Sequence, residues 1–240
     1  MTLSQKLTKV AENMSAVHEA GKKTQNKQFW ENVKSSIYAG GYTYAFAGKA
    51  WTSETFKPTF DIAPTGSADS LFRESSIGNI KQSLEDCGVR LDLSSTKNAT
   101  NIFNVCETTA LPEIDLRNCS QHQYVFAYSS KLKTIDKVRF AEGVAMTGCF
   151  TNCSSLTHVI FDGTISGKDL DMKYSKSLDK ASITSLINAL SEETSGLSVT
   201  LSEAAVNKAF ETGLNKNDGK SSAEWTALCA SRSNWNIVTA

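Results

Sequence analysis

Four phenylalanines in the middle of the chain stand in closely similar settings, and this repetition constrains the fold more than any other feature. The settings are Leu71-Phe72-Arg73-Glu74-Ser75, Ile102-Phe103-Asn104-Val105-Cys106, Val125-Phe126-Ala127-Tyr128-Ser129 and Cys149-Phe150-Thr151-Asn152-Cys153. The phenylalanines are 31, 23 and 24 residues apart. A period in the low twenties is the mark of stacked units that bury one continuous core. After each Phe come a small polar turn, an apolar step such as Leu132 or Leu156, and a short β-like run. Alternation at Val89, Leu91 and Leu93, and again at Ile114 and Leu116, fits short strands with one buried face. The spacing therefore predicts an α+β chain built on a short β-solenoid over 68–177, with a helical insert over 79–87 in its first unit. Its repeat core would be Phe72, Phe103, Phe126, Phe150, Leu132 and Leu156.

The flanks read differently. Leu3, Leu7, Val10, Met14 and Val17 are spaced 4, 3, 4 and 3 apart, a heptad stripe in a helical segment assigned to residues 1–40. Two heptads are marginal alone, so these five residues are the candidates for self-association or for docking to another protein, with folding back on the second helix around Phe29 and Trp30 as the alternative. A second helix is expected over 24–37, with Phe29, Trp30, Val33 and Ile37 on one side. Residues 41–67 are dense in aromatics and read as a cap over the first unit, with a sugar-binding platform as the alternative. Within them Tyr42, Tyr44 and Phe46 alternate as in a short strand. Residues 178–240 predict an α/β cap. Its helices are expected over 178–190, 202–210 and 221–228, and its strands over 197–201 and 235–238.

Composition excludes more than it selects. Lys+Arg and Asp+Glu are both 25, which gives no basic footprint for nucleic acid. No run approaches the ~20 apolar residues of a membrane span. The first residues lack the pattern of a secretory leader, so synthesis in a cytoplasm is expected. The six cysteines form no CxxC pair and the three histidines no ligand motif. Cys106 and Cys153 each follow a repeat Phe by three residues, the place of a small buried side chain. No nucleophile elbow, Walker loop or HExxH is present. No catalytic residue, metal or cofactor is expected.

The segments Val125-Phe126-Ala127-Tyr128-Ser129-Ser130-Lys131-Leu132 and Cys149-Phe150-Thr151-Asn152-Cys153-Ser154-Ser155-Leu156 resemble BspA-like leucine-rich repeats. More of the chain is similar to proteins encoded by phages and prophages of gut Gram-positive bacteria. That resemblance runs through Val17-His18-Glu19-Ala20-Gly21, Phe29-Trp30 and Tyr44-Ala45-Phe46-Ala47-Gly48. It continues at the other end through Thr194-Ser195-Gly196-Leu197 and Ala205-Val206-Asn207-Lys208-Ala209-Phe210. It implies a leucine-rich-repeat solenoid and a non-enzymatic structural or adhesive virion component at the tail, baseplate or fibre. The implied partners are further copies of the chain, with a homotrimer as the first expectation by analogy with fibres alone, other virion proteins, and a host-surface protein or glycan. An intracellular binding module and a bacterial surface adhesin are the alternatives.

Overall fold

The computed structural model describes residues 26–39, 41–211 and 222–240. The heptad stripe Leu3, Leu7, Val10, Met14 and Val17 lies outside the described residues. The first described elements are helix α1 (26–39) and helix α2 (Ile80–Cys87). Strands β1 (Ala110–Asp115), β2 (Thr134–Arg139), β3 (His158–Phe161) and β4 (Leu170–Met172) follow. Helix α3 (Lys180–Ala189), strand β5 (Ser198–Leu201), helices α4 (Glu203–Phe210) and α5 (Ala223–Ala230), and strand β6 (Asn236–Thr239) complete it.

The leucine-rich-repeat solenoid implied above is not what the described chain builds. The strands form two separate parallel three-stranded sheets, ordered β1-β2-β3 and β4-β5-β6, among five described helices. The ladder breaks after β3 for a local reason. The backbone N–H groups of Val159 and Phe161 donate to the hydroxyls of Ser182 and Ser185 on α3, at 2.9 and 3.1 Å. Those donors would otherwise bond a next strand, so a helix closes the sheet edge. The Asp179 side chain caps α3 by accepting the Ser182 N–H at 2.8 Å. At the opposite edge α2 stands beside β1, with Asn79 as its N-cap and Gly88 in the left-handed region as its C-cap. The Thr108 hydroxyl accepts the Ile80 N–H at 2.9 Å and bridges the two elements.

The strand expected at Tyr42, Tyr44 and Phe46 is also absent. Tyr44 has φ 58° and the segment is a turn. Residues 89–93 form no strand either; Leu91 makes only an isolated bridge to Ile62. Phe29, grouped above with the apolar side of its helix, is 50% exposed, whereas Trp30 and Ile37 are buried.

Phe46, Phe72, Phe103, Phe126 and Phe150 are fully buried and lie ring on ring. Successive centroids are 5.4, 5.5, 5.8 and 5.2 Å apart, and the Phe72–Phe103 and Phe103–Phe126 planes are each within 6° of parallel. Leu132 and Leu156 are buried in the same hydrophobic cluster. Trp30 of α1 closes one end of the column, 6.3 Å from Phe46 and 5.6 Å from Trp51. Burying each of these side chains contributes about 1.5–3 kcal/mol.

Candidate functional site

The backbone that carries the column repeats one conformation five times. Two residues before and two after each column Phe, φ is positive. The pairs are Tyr44 and Gly48, Ser70 and Glu74, Asn101 and Val105, Tyr124 and Tyr128, and Gly148 and Asn152, with φ between 53° and 89°. This conformation lets successive layers bond to one another without a strand. The N–H groups of Ser70, Phe72 and Glu74 donate to the carbonyls of Thr100, Ile102 and Asn104 one layer on, at 2.8–2.9 Å. Asn101, Phe103 and Val105 donate in the same way to Gln123, Val125 and Ala127. The N–H groups in between turn back within the layer, as Arg73 does to Ser70 and Ser75 to Phe72. Every second donor therefore faces the neighbouring layer and the rest close tight turns.

One position further on, small side chains form a second set of rungs. The Ser129 hydroxyl donates to the Phe103 carbonyl at 2.5 Å, the Cys153 thiol to the Phe126 carbonyl at 3.1 Å, and the Ser175 hydroxyl to the Cys153 carbonyl at 3.1 Å. Cys149 and Cys119 reach the carbonyls of His122 and Thr96 in the same manner. Burial pushes the thiols of Cys119, Cys149 and Cys153 up to about 12. They are therefore uncharged rungs and poor nucleophiles. All six cysteines are free.

The left-handed positions bring bulky side chains to the surface. Tyr44 is 54% exposed, Tyr128 50%, and Tyr124 and Val105 39% each. The ladder places Val105 beside Tyr128 in adjacent layers. The ring of Tyr124 lies over Gly148, where an added Cβ would come within 2.4 Å of it. A left-handed backbone costs an ordinary L-residue roughly 1–2 kcal/mol, and for a β-branched residue such as Val105 it is an outlier. Glycine or asparagine would meet the local demand more cheaply, as Gly48 and Asn152 do. Strained backbone that displays large side chains to solvent marks a candidate functional surface, and tyrosine is prominent among interface anchors.

The outer face of the first sheet carries the other cluster of functional groups. Arg139 reaches Glu113 at 2.7 Å, Asp162 at 2.7 Å and Asp115 at 3.5 Å, and Arg117 pairs with Asp115 at 2.7 Å. The hydrogen bond from Arg139 holds the Asp162 carboxyl below its usual range. Burial alone would raise Asp115, but hydrogen bonds from Arg117 outweigh it and hold it low. Asp115 and Asp162 thus stay ionised and paired with the two arginines.

His158 lies 2.7 Å from Asp179, whose other oxygen accepts the Ser182 N–H and hydroxyl. Ser182 in turn serves Val159, so this pair is committed to capping α3. Among the described residues no group of three or more His, Cys, Asp or Glu could hold a metal ion, and no helix is long and apolar enough to cross a membrane.

Of the residues singled out from the sequence, the structure brings the repeat phenylalanines, Leu132 and Leu156 into one core. The sequence reading missed Phe46 as a column member and missed the exposed tyrosines. The available signal was the Asn and Gly residues two places from a Phe, at Gly48, Asn101, Gly148 and Asn152, since these types favour positive φ. Comparison of the chain with protein-family models, curated proteins and solved structures returns no match.

Proposed function

We propose that this chain is a non-enzymatic binding protein whose tyrosine-bearing edge engages a partner. As the resemblance implies, its place is a phage virion, in a structural or adhesive role at the tail, baseplate or fibre. The reading does not require the expected solenoid. It rests on one observation: bulky side chains, Tyr44, Tyr124, Tyr128 and Val105, occupy left-handed positions and face solvent. Large aromatics held on a rigid ladder lose little entropy on binding, which suits adhesion to a host-surface protein or glycan. The paired carboxylates and the buried, uncharged thiols favour a binding role over catalysis.

The test is binding of labelled chain to host cells, comparing the wild type with a Tyr124→Ser/Tyr128→Ser double variant, together with mass spectrometry of purified particles. Both tyrosines are exposed, so the variant is expected to fold and to bind at least about tenfold more weakly, ~1.4 kcal/mol. Unchanged binding by the double variant removes the edge from the proposal. Absence of the chain from purified particles removes the virion.

A further inference from the structure

A cavity of about 430 Å³ opens at the end of α1, and none of Tyr44, Val105, Tyr124 and Tyr128 lines it. Its volume lies in the range of small-molecule sites. The last turn of α1 supplies Tyr38, the following loop Tyr42, and segment 61–67 supplies Asp61, Thr65 and Ser67. We propose that this cavity is a saccharide-binding site for a neutral sugar ring, with Tyr38 and Tyr42 contacting the apolar face of the ring and Asp61 and Ser67 holding its hydroxyls.

The polar groups retain the capacity that a polyol needs. The Tyr42 phenol oxygen accepts the Ala63 N–H at 3.4 Å, which leaves its own O–H to donate. Asp61 accepts the Arg90 N–H at 2.8 Å and the Arg90 guanidinium at 3.1 Å. A carboxylate offers about four acceptor positions, so two remain. The Ser67 hydroxyl accepts from Thr43 and from the Asp69 N–H, each at 3.2 Å, and its proton is left to donate. Donors and acceptors thus converge beside two aromatic rings, one of them, Tyr38, 69% exposed.

Charge selects against the other ligand classes. An ammonium ion would suit two tyrosines and a carboxylate, but Arg90 already compensates Asp61. Lys34 holds its own ammonium 5.7 Å from the ring centres of both Tyr38 and Phe60. No Lys or Arg is among the residues lining the cavity, so an anion finds no cation there to hold it. A neutral polyhydroxylated ring meets neither obstacle.

The inference does not depend on the tyrosine edge, and the experiment separates the two. Full-length chain is titrated by NMR with the methyl glycosides of glucose, galactose, mannose, rhamnose and N-acetylglucosamine, and with tetramethylammonium. At least one glycoside is expected to bind with a Kd of about 1 mM. Tyr38→Ala and Asp61→Asn should each weaken it at least about tenfold, while Tyr124→Ser/Tyr128→Ser leaves it unchanged. Tyr38 is exposed, and unaltered circular dichroism confirms that its variant folds; Asp61→Asn gives a nearly isosteric second reading. The proposal fails if no glycoside binds at about 10 mM, ten times the expected Kd. It also fails if binding survives both cavity variants, if only the edge variant reduces it, or if tetramethylammonium binds in place of every sugar.

Discussion

The layered region, residues 41–161, and the C-terminal region, residues 170–240, solve the same problem with different backbones. Both place chain segments side by side in parallel and bury one row of side chains between them. In the layered region much of the contact is made by turns, and eight of the nine non-glycine residues with positive φ among the described residues lie there. In the C-terminal region the contacts are the strands β4, β5 and β6, in register from Leu170 to Val199 to Ile237, and helices make the crossovers. The ninth residue, Glu211, follows the end of α4, an ordinary place for a left-handed residue. Turns let the chain return in as few as 23 residues and turn side chains such as Tyr128 outward, at the expense of backbone strain. Strands and helices avoid the strain and present fewer large side chains. The strained region is thus the one suited to display.

The largest effect is expected from the column. Phe126→Ala removes a ring stacked between Phe103 and Phe150 and should lower stability by about 3–5 kcal/mol, measured by urea unfolding. A loss below about 1 kcal/mol would mean that the column does not hold the layers together. Next comes the junction of the two regions. A Cβ on Gly167 would lie 2.1 Å from the Val144 carbonyl oxygen, a backbone atom that cannot swing aside. Gly167→Ala should cost about 1–3 kcal/mol or more. Neutral behaviour there would show that the two regions can separate slightly without loss.

His122 offers a pH test confined to the layered region. Its ring is fully buried 5.2 Å from Phe140, and neither nitrogen has a well-aligned partner. Burial pulls its pKa below the ordinary 6.5, against the opposing pull of its own backbone and that of Ala141. Between the folded value and 6.5 the unfolded chain carries a proton that the folded chain lacks. Stability should therefore rise with pH through that window and be lost as pH falls below about 6.5, by at most about 1.4 kcal/mol per unit. His122→Phe should flatten this slope in stability-versus-pH curves. An identical slope in the variant would assign it to another group.

The smallest effect tests the strain itself. Val105→Gly should stabilise the fold by up to about 1 kcal/mol, because relief of the left-handed penalty outweighs the lost side chain and added chain entropy. Glu211→Gly should gain only a few tenths of a kcal/mol, since a residue that is not β-branched fits that position more easily. Equal gains at the two sites in thermal unfolding would erase the contrast drawn between the regions.

The sequence by itself determined what depends on neighbours along the chain. The apolar period over Leu178–Leu190 became α3, the alternation Leu197, Val199, Leu201 became β5, and the helix expected over 221–228 became α5. The recurrence of Phe72, Phe103, Phe126 and Phe150 marked side chains that share one core, because a repeated spacing brings repeated residues into equivalent places. The tertiary structure decided the rest. The sign of φ is not written in a residue such as Tyr44, so its alternation with Phe46 read as a strand where a turn forms. Whether the ladder ran on past β3 depended on Ser182 and Ser185, some twenty residues away in sequence, reaching the free N–H groups of Val159 and Phe161. The cavity at Tyr38 and Asp61 was equally hidden, since it exists only where α1, the loop after it and segment 61–67 meet. Local pattern fixes which residues are apolar and how they are spaced, whereas hydrogen-bond closure between distant segments fixes where a sheet stops and which side chains face water.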